Sequence, residues 1–195
     1  MPQRYPIPAS TVRAETIVTR SKFIATIGAA DSVDAARDFI QRIRNEMPDA
    51  THHVYAFRVG YGSSVQEGLS DDGEPAGTSG KPVMAVLRGA DIGDVVLVVT
   101  RYFGGTKLGT GGLVRAYSGA AKTVIEQLPL TEKIVSVTMA IACSYANFEP
   151  LKRQLPHYEA TLLEEKFAEH VMLTIRVPED KLRDFSREIA PFRLK

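Results

Sequence analysis

The chain has 195 residues, 44% hydrophobic and 24% charged, with 24 Lys and Arg against 23 Asp and Glu, for a formal net charge of +1. That length exceeds the common domain size and that apolar content suffices for folded cores, so a disordered chain is excluded and two modest domains are expected. Near-neutrality denies the whole molecule a strong attraction to nucleic acid or anionic lipid, so any polyanion site has to be a local patch.

The opening stretch MPQRYPIPAS carries Pro2, Pro6 and Pro8 and lacks the apolar segment of roughly 7 to 15 residues that marks a secretory signal. Residues 12–30 are rich in β-branched types with partial alternation, which predicts one strand or a bent pair. DSVDAARDFIQRIRNEMP then places Val33, Ala36, Phe39, Ile40, Ile43 and Met47 on one helical face, with Asp31 or Ser32 as cap and Pro48 past the end. HHVYAFRVG at 52–60 alternates as a half-buried strand, and SSVQEGLSDDG returns beside it before becoming a loop. TSGKPVMAVLRG predicts a short helix with Thr78 or Ser79 near the cap, Pro82 in the first turn and Gly89 as its stop.

DVVLVVTRYF has no polar alternation, which predicts a central strand covered on both faces. Its core, VVLVV at 95–99, is the longest apolar stretch and far shorter than the roughly 20 residues a membrane span needs. From about 110 to 128, Leu113, Val114, Tyr117, Ala120, Ala121, Val124, Ile125 and Leu128 repeat at helical spacing. QLPLTEK breaks that pattern and marks a domain boundary, giving domains at 1–130 and 131–195. Beyond it the order is strand at 133–143, helix at 147–157, strands at 159–167 and 170–177, and helix at 179–190. The terminal PFRLK could supply a last edge strand, completing a split βαβ sandwich with both helices on one face. The single cysteine, Cys143, cannot form an internal disulfide, which suits a reducing cytoplasm, and its strand context predicts a buried small apolar side chain.

The loop GGTKLGTGGL joins the central strand to the long helix, the arrangement in which a phosphate rests on free helix amides. Two familiar fingerprints fail there: Thr110 stands where a P-loop requires lysine, and Val114 where a dinucleotide fold requires its third glycine. What remains is a generic anion nest, in which Gly104, Gly105, Gly109, Gly111 and Gly112 permit close approach of successive amides. Arg101, Lys107 and Arg115 flank or interrupt it, and Lys81 opens a second helix start built on the same plan. Between Thr78 and Lys122 six cations face only Asp91 and Asp94, the footprint of a phosphate-backbone site. Tyr102 and Phe103 would stack on unpaired bases if exposed; the glycines and aromatics also allow a purely structural turn. Asp71, Asp72 and Glu74 offer a competing reading, a Mg²⁺ site serving a hydrolase or transferase of a small phosphorylated substrate, with His53 as base. His52 and His53, adjacent in a strand, face opposite ways and cannot chelate one metal together, and a zinc centre is not expected.

GKPVMAVLRGADIGDVVLVVTRYFGGTKLGTGGLVRAYSGAA, with HHVYAFRVG and SDDGEPAGTSG upstream, closely resembles the IMPACT family, and the two-domain layout is similar to its bacterial YigZ-like branch. The resemblance is strongest over residues 15–128. It implies an α+β fold with an N-terminal sandwich of the ribosomal-protein (second-domain) type and a C-terminal ferredoxin-like βαββα domain similar to the last domain of elongation factor G. Eukaryotic relatives restrain a starvation-responsive kinase by competing for its ribosome-associated activator; only a looser role in translation regulation or RNA binding carries over, with no catalytic residues to transfer.

The sequence reading is thus a non-enzymatic cytoplasmic regulator that binds RNA, another nucleic acid or the ribosome, with a protein of the translation machinery as a further candidate partner and no membrane. Its expected anion site is Arg101, Tyr102, Phe103, Gly104, Gly105, Lys107, Gly109, Arg115 and Lys81, without cofactor. Residues alone do not fix the oligomeric state.

Overall fold

In the computed structural model, which describes residues 4–194, the aliphatic run at 95–99 lies in the middle strand of a five-stranded sheet. Strands β2 (Val12–Val18), β3 (Ser21–Ala29), β4 (His52–Val59), β5 (Gln66–Ser70) and β6 (Val95–Tyr102) lie in the order β2-β3-β6-β4-β5. Every neighbouring pair is antiparallel. Because successive side chains of a strand point to opposite faces, β6 feeds two cores. Val95, Leu97 and Val99 join one with Phe23, Ile27 and Val54, while Val96 and Val98 join the other with Phe57.

Helices cover both faces. α1 (Val33–Glu46) begins where Ser32 Oγ accepts a hydrogen bond from the Ala35 amide at 3.1 Å, and it buries Ala36, Phe39, Ile40 and Ile43 against Val96 and Val98. α2 (Gly80–Gly89) and α3 (Gly109–Glu126) pack on the opposite face through Val83, Met84 and Leu87, and through Leu113, Ala116, Tyr117, Ala120, Ala121 and Val124. Each of the buried Val, Leu and Met side chains contributes about 1.5–3 kcal/mol. The buried stripe of α3 differs from expectation at one point: Val114 is 39% exposed and Ala116 takes the inward place. A helix of 3.6 residues per turn carries position 114 off the line through 113, 117, 120 and 124.

The predicted strand at 133–143 is two strands. β7 (Leu130–Ile134) pairs with β1 (Arg4–Pro8), and a separate strand starts at Ser136. Buried Asp94 anchors this ribbon, accepting from Tyr5 Oη at 3.0 Å and from the Gly60 amide at 2.7 Å and forming an ion pair with Lys133.

The chain divides into two units between Lys133 and Ile134. The second contains β8 (Ser136–Cys143), α4 (Tyr145–Gln154), β9 (Thr161–Phe167), β10 (Val171–Pro178) and α5 (Leu182–Ile189), the βαββα order, in an antiparallel sheet β8-β10-β9. Its core gathers Ile141, Leu151, Leu173, Ile175 and Phe185 around Cys143, whose thiol pKa burial raises. The terminal residues approach a fourth strand: Arg193 bridges Cys143 in antiparallel fashion and the Leu194 amide donates to Ala142 O at 2.9 Å. Lys195 lies outside the described residues.

Candidate nucleic-acid interface

β6 ends at Tyr102, and α3 begins at Gly109. Arg101 has the same strand parity as Val95, Leu97 and Val99, and so points under α3 rather than into solvent. Its side chain is 5% exposed. Nη1 donates to Glu74 Oε1 at 2.5 Å and Nη2 to Ser21 Oγ at 3.2 Å, and the guanidinium lies against the rings of Phe23 and Phe103. Arg101 is therefore not the open phosphate-holding cation the sequence suggests; it is the buried partner of a carboxylate. Tyr102, half-buried, donates its hydroxyl to Asp49 at 3.1 Å with Lys22 over its ring, whereas Phe103 is 48% exposed. The available aromatic surface is that of Phe103.

The three loop carboxylates have separate partners. Asp71 sits on the start of α2, accepting from the amides of Gly77 (2.8 Å), Ser79 (3.1 Å) and Gly80 (2.8 Å) and from Ser79 Oγ (2.6 Å). Asp72 pairs with Arg44 at 2.5 Å and accepts from the His53 amide at 2.6 Å. Glu74, buried, holds Arg101 and accepts from Tyr117 Oη at 2.8 Å, with His52 Nε2 3.9 Å away. Burial, and then the Glu74 charge, push the Tyr117 pKa well above its ordinary value. The proposed base, His53, is buried with Nδ1 3.1 Å from Thr100 Oγ1; burial is the main cause of its lowered pKa. These carboxylates are thus spent on a helix cap and two ion pairs instead of converging, and among the described residues no three metal-ligating side chains cluster.

Burial opposes ionisation of Asp71, but the Ser79 hydroxyl and the three amides outweigh it and hold its pKa below the usual aspartate value. A lowered folded-state pKa gives stability that is complete above the ordinary aspartate range and is lost as pH falls through the lowered value. Asp71→Asn is expected to cost about 1 kcal/mol at neutral pH. In urea unfolding at stepped pH, its deficit against the wild type should vanish in acid.

The two helix starts that look alike in sequence differ in occupancy. Asp71 fills the start of α2; the start of α3 has Leu108 as N-cap, no side-chain cap and no acidic residue in its first turn. A groove of about 340 Å³ opens there, lined by Glu74, Arg101, Phe103, Lys107, Gly109 and Thr110. Gly109, at φ +68, takes the left-handed turn into the helix. Lys107 is on the rim. Lys81 stands on the first turn of α2 and Arg115 on the second turn of α3, both outside the lining, with Lys81 beside Gly77 and Arg115 beside Gly111. Gly104 and Gly105 are also outside it; Gly104 packs on the β2–β3 turn, bringing exposed Arg20 next to the loop. Among the described residues none of Arg20, Lys81, Lys107 and Arg115 forms an ion pair, and all four are exposed. No helix of the described residues is long and apolar enough to cross a membrane.

The Impact N-terminal domain family matches residues 19–125, and the chain is 37% identical over 187 residues to IMPACT family member YigZ of Escherichia coli K12, covering 95% of this chain and 92% of that protein. The chain belongs to the IMPACT family. Another IMPACT family member, YvyE of Bacillus subtilis, is 33% identical over 172 residues, 88% of this chain and 79% of its own. The crystal structure of a hypothetical protein superposes with a TM-score of 0.75 at 34% identity, covering all of this chain and 99% of that one. Residues 141–192 match a domain of unknown function (DUF1949). Every groove residue falls within the Impact N-terminal domain.

Proposed function

We propose that this IMPACT family chain is a non-enzymatic cytoplasmic regulator that binds RNA, free or on the ribosome, and that this contact serves translation regulation. The observation that carries the reading is the contrast between the helix starts. At α2 the chain's own carboxylate occupies the loop amides, whereas α3 has no side-chain cap and no acidic residue in its first turn, beside exposed Lys107 and Phe103. Free helix amides and the positive end of the macrodipole attract an oxyanion, and Lys107, Arg115, Lys81 and Arg20 add exposed cations without internal counter-ions. Phosphate contacts of this type give affinity without sequence preference. A protein of the translation machinery would meet the same first unit. In-cell ultraviolet crosslinking followed by digestion is expected to leave RNA adducts on peptides spanning 101–115; adducts confined to other segments would remove the assignment.

A further inference from the structure

We infer that the groove at the start of α3 reads one unpaired RNA base, and that it favours a base presenting N–H donors on its pairing edge, guanine foremost. This deepens the RNA reading above and rests on it. The groove's floor is Glu74 and Arg101, with side chains only 4% and 5% exposed. Glu74 Oε1 accepts from Arg101 and Tyr117, but Oε2 accepts no hydrogen bond among the described residues. Arg101 Nε is buried with no partner at all. Buried polar atoms are ordinarily paired; Arg101 Nε is an exception here, while Glu74 Oε2, unpaired and not closed to solvent, is the acceptor left over in the groove. One wall is Phe103, an aromatic face that needs no sequence to stack on a base. The rim carries Lys107 and the first amides of α3, placed for the phosphate of the same nucleotide.

A carboxylate oxygen only accepts. It therefore matches guanine, whose N1–H and N2 amino group are adjacent donors, and disfavours uracil, whose single N3–H lies between two carbonyl oxygens. A duplex hides these edges, so the nucleotide has to be unpaired.

The test is fluorescence anisotropy of the full chain with short labelled uridine oligonucleotides carrying guanine, inosine, adenine or uridine at one central position. Guanine should bind about tenfold more tightly than inosine, which lacks only the amino group. Phe103→Leu should weaken the guanine oligonucleotide by about tenfold, and Glu74→Gln should close the guanine–inosine gap. The inosine comparison changes the RNA alone, so it holds even if Glu74→Gln fails to fold. Equal affinity for all four oligonucleotides with a silent Phe103→Leu overturns the base pocket and leaves the phosphate reading standing. No binding of any RNA removes the reading beneath it. Displacement by guanosine 5′-monophosphate at the concentration of the oligonucleotide itself overturns RNA as the source of the base.

Discussion

Arg101→Met is expected to lower the unfolding free energy by about 3–5 kcal/mol, seen as a lower urea midpoint with unchanged slope. The substitution preserves much of the side-chain volume but leaves Glu74 buried with one hydrogen bond, from the Tyr117 hydroxyl, and His52 3.9 Å away. Removing one partner of a buried pair is costly because the survivor keeps its desolvation penalty without its counter-charge. Glu74→Ala should be comparably damaging, and the double substitution should cost less than the sum of the two, since the second removes the charge the first stranded. The exposed pair Arg37–Asp34, with side chains 71% and 87% exposed, should by contrast be nearly silent. If Arg101→Met left stability unchanged while abolishing RNA binding, the residue would be a ligand-facing cation after all.

Gly104→Ala is expected to cost about 3 kcal/mol, through steric overlap and not through any lost anion contact. A Cβ at this position would lie 2.1 Å from the Arg20 carbonyl carbon, 2.2 Å from its oxygen and 2.4 Å from the Ser21 nitrogen, all main-chain atoms that cannot step aside cheaply. The β2–β3 turn it rests on is itself tight: Thr19 and Arg20 both hold positive φ, 46° and 68°, and Ser21 Oγ accepts from both the Gly104 amide and Arg101, each at 3.2 Å. Hairpin turn, glycine loop and buried ion pair are therefore one packed unit. Gly105→Ala is the control. Its φ is +81 and a Cβ there meets nothing within 4 Å, so only the backbone penalty, about 1–2 kcal/mol, applies. Thermal melts of the two variants should separate them.

The features the sequence shows well are those set by local periodicity. The unbroken aliphatic run of β6 implied a strand covered on both faces, and a cap at Asp31 or Ser32 and, apart from Val114, the apolar stripe of α3 follow from spacing alone. The α+β class and the IMPACT family follow from the long motif around residues 101–109. Features set by distant partners were hidden. Glu74 meets Arg101 across 27 positions and Tyr117 across 43, and no local pattern links a Gly/Pro loop to a helix stripe. β1 escaped because Pro6 and Pro8 argue against a strand, yet a ribbon paired on one side leaves their missing N–H groups unneeded. One error was avoidable: strand parity already puts position 101 on the face of Val95, Leu97 and Val99, and thus inward. Asp71 could not be told from a metal ligand, since a carboxylate near glycines suits either role until its amide donors are seen.

The open start of α3, with its unpaired cations, is the proposed seat of RNA phosphates. The most direct test is the salt dependence of affinity for a single-stranded RNA, measured for the wild type and for Lys107→Ala/Arg115→Ala. The double variant should bind more weakly at low salt, and its log–log slope should be shallower by about 0.7 for each lost contact, with the two proteins converging at high salt. Identical affinity and identical slope in a folded double variant would contradict the account.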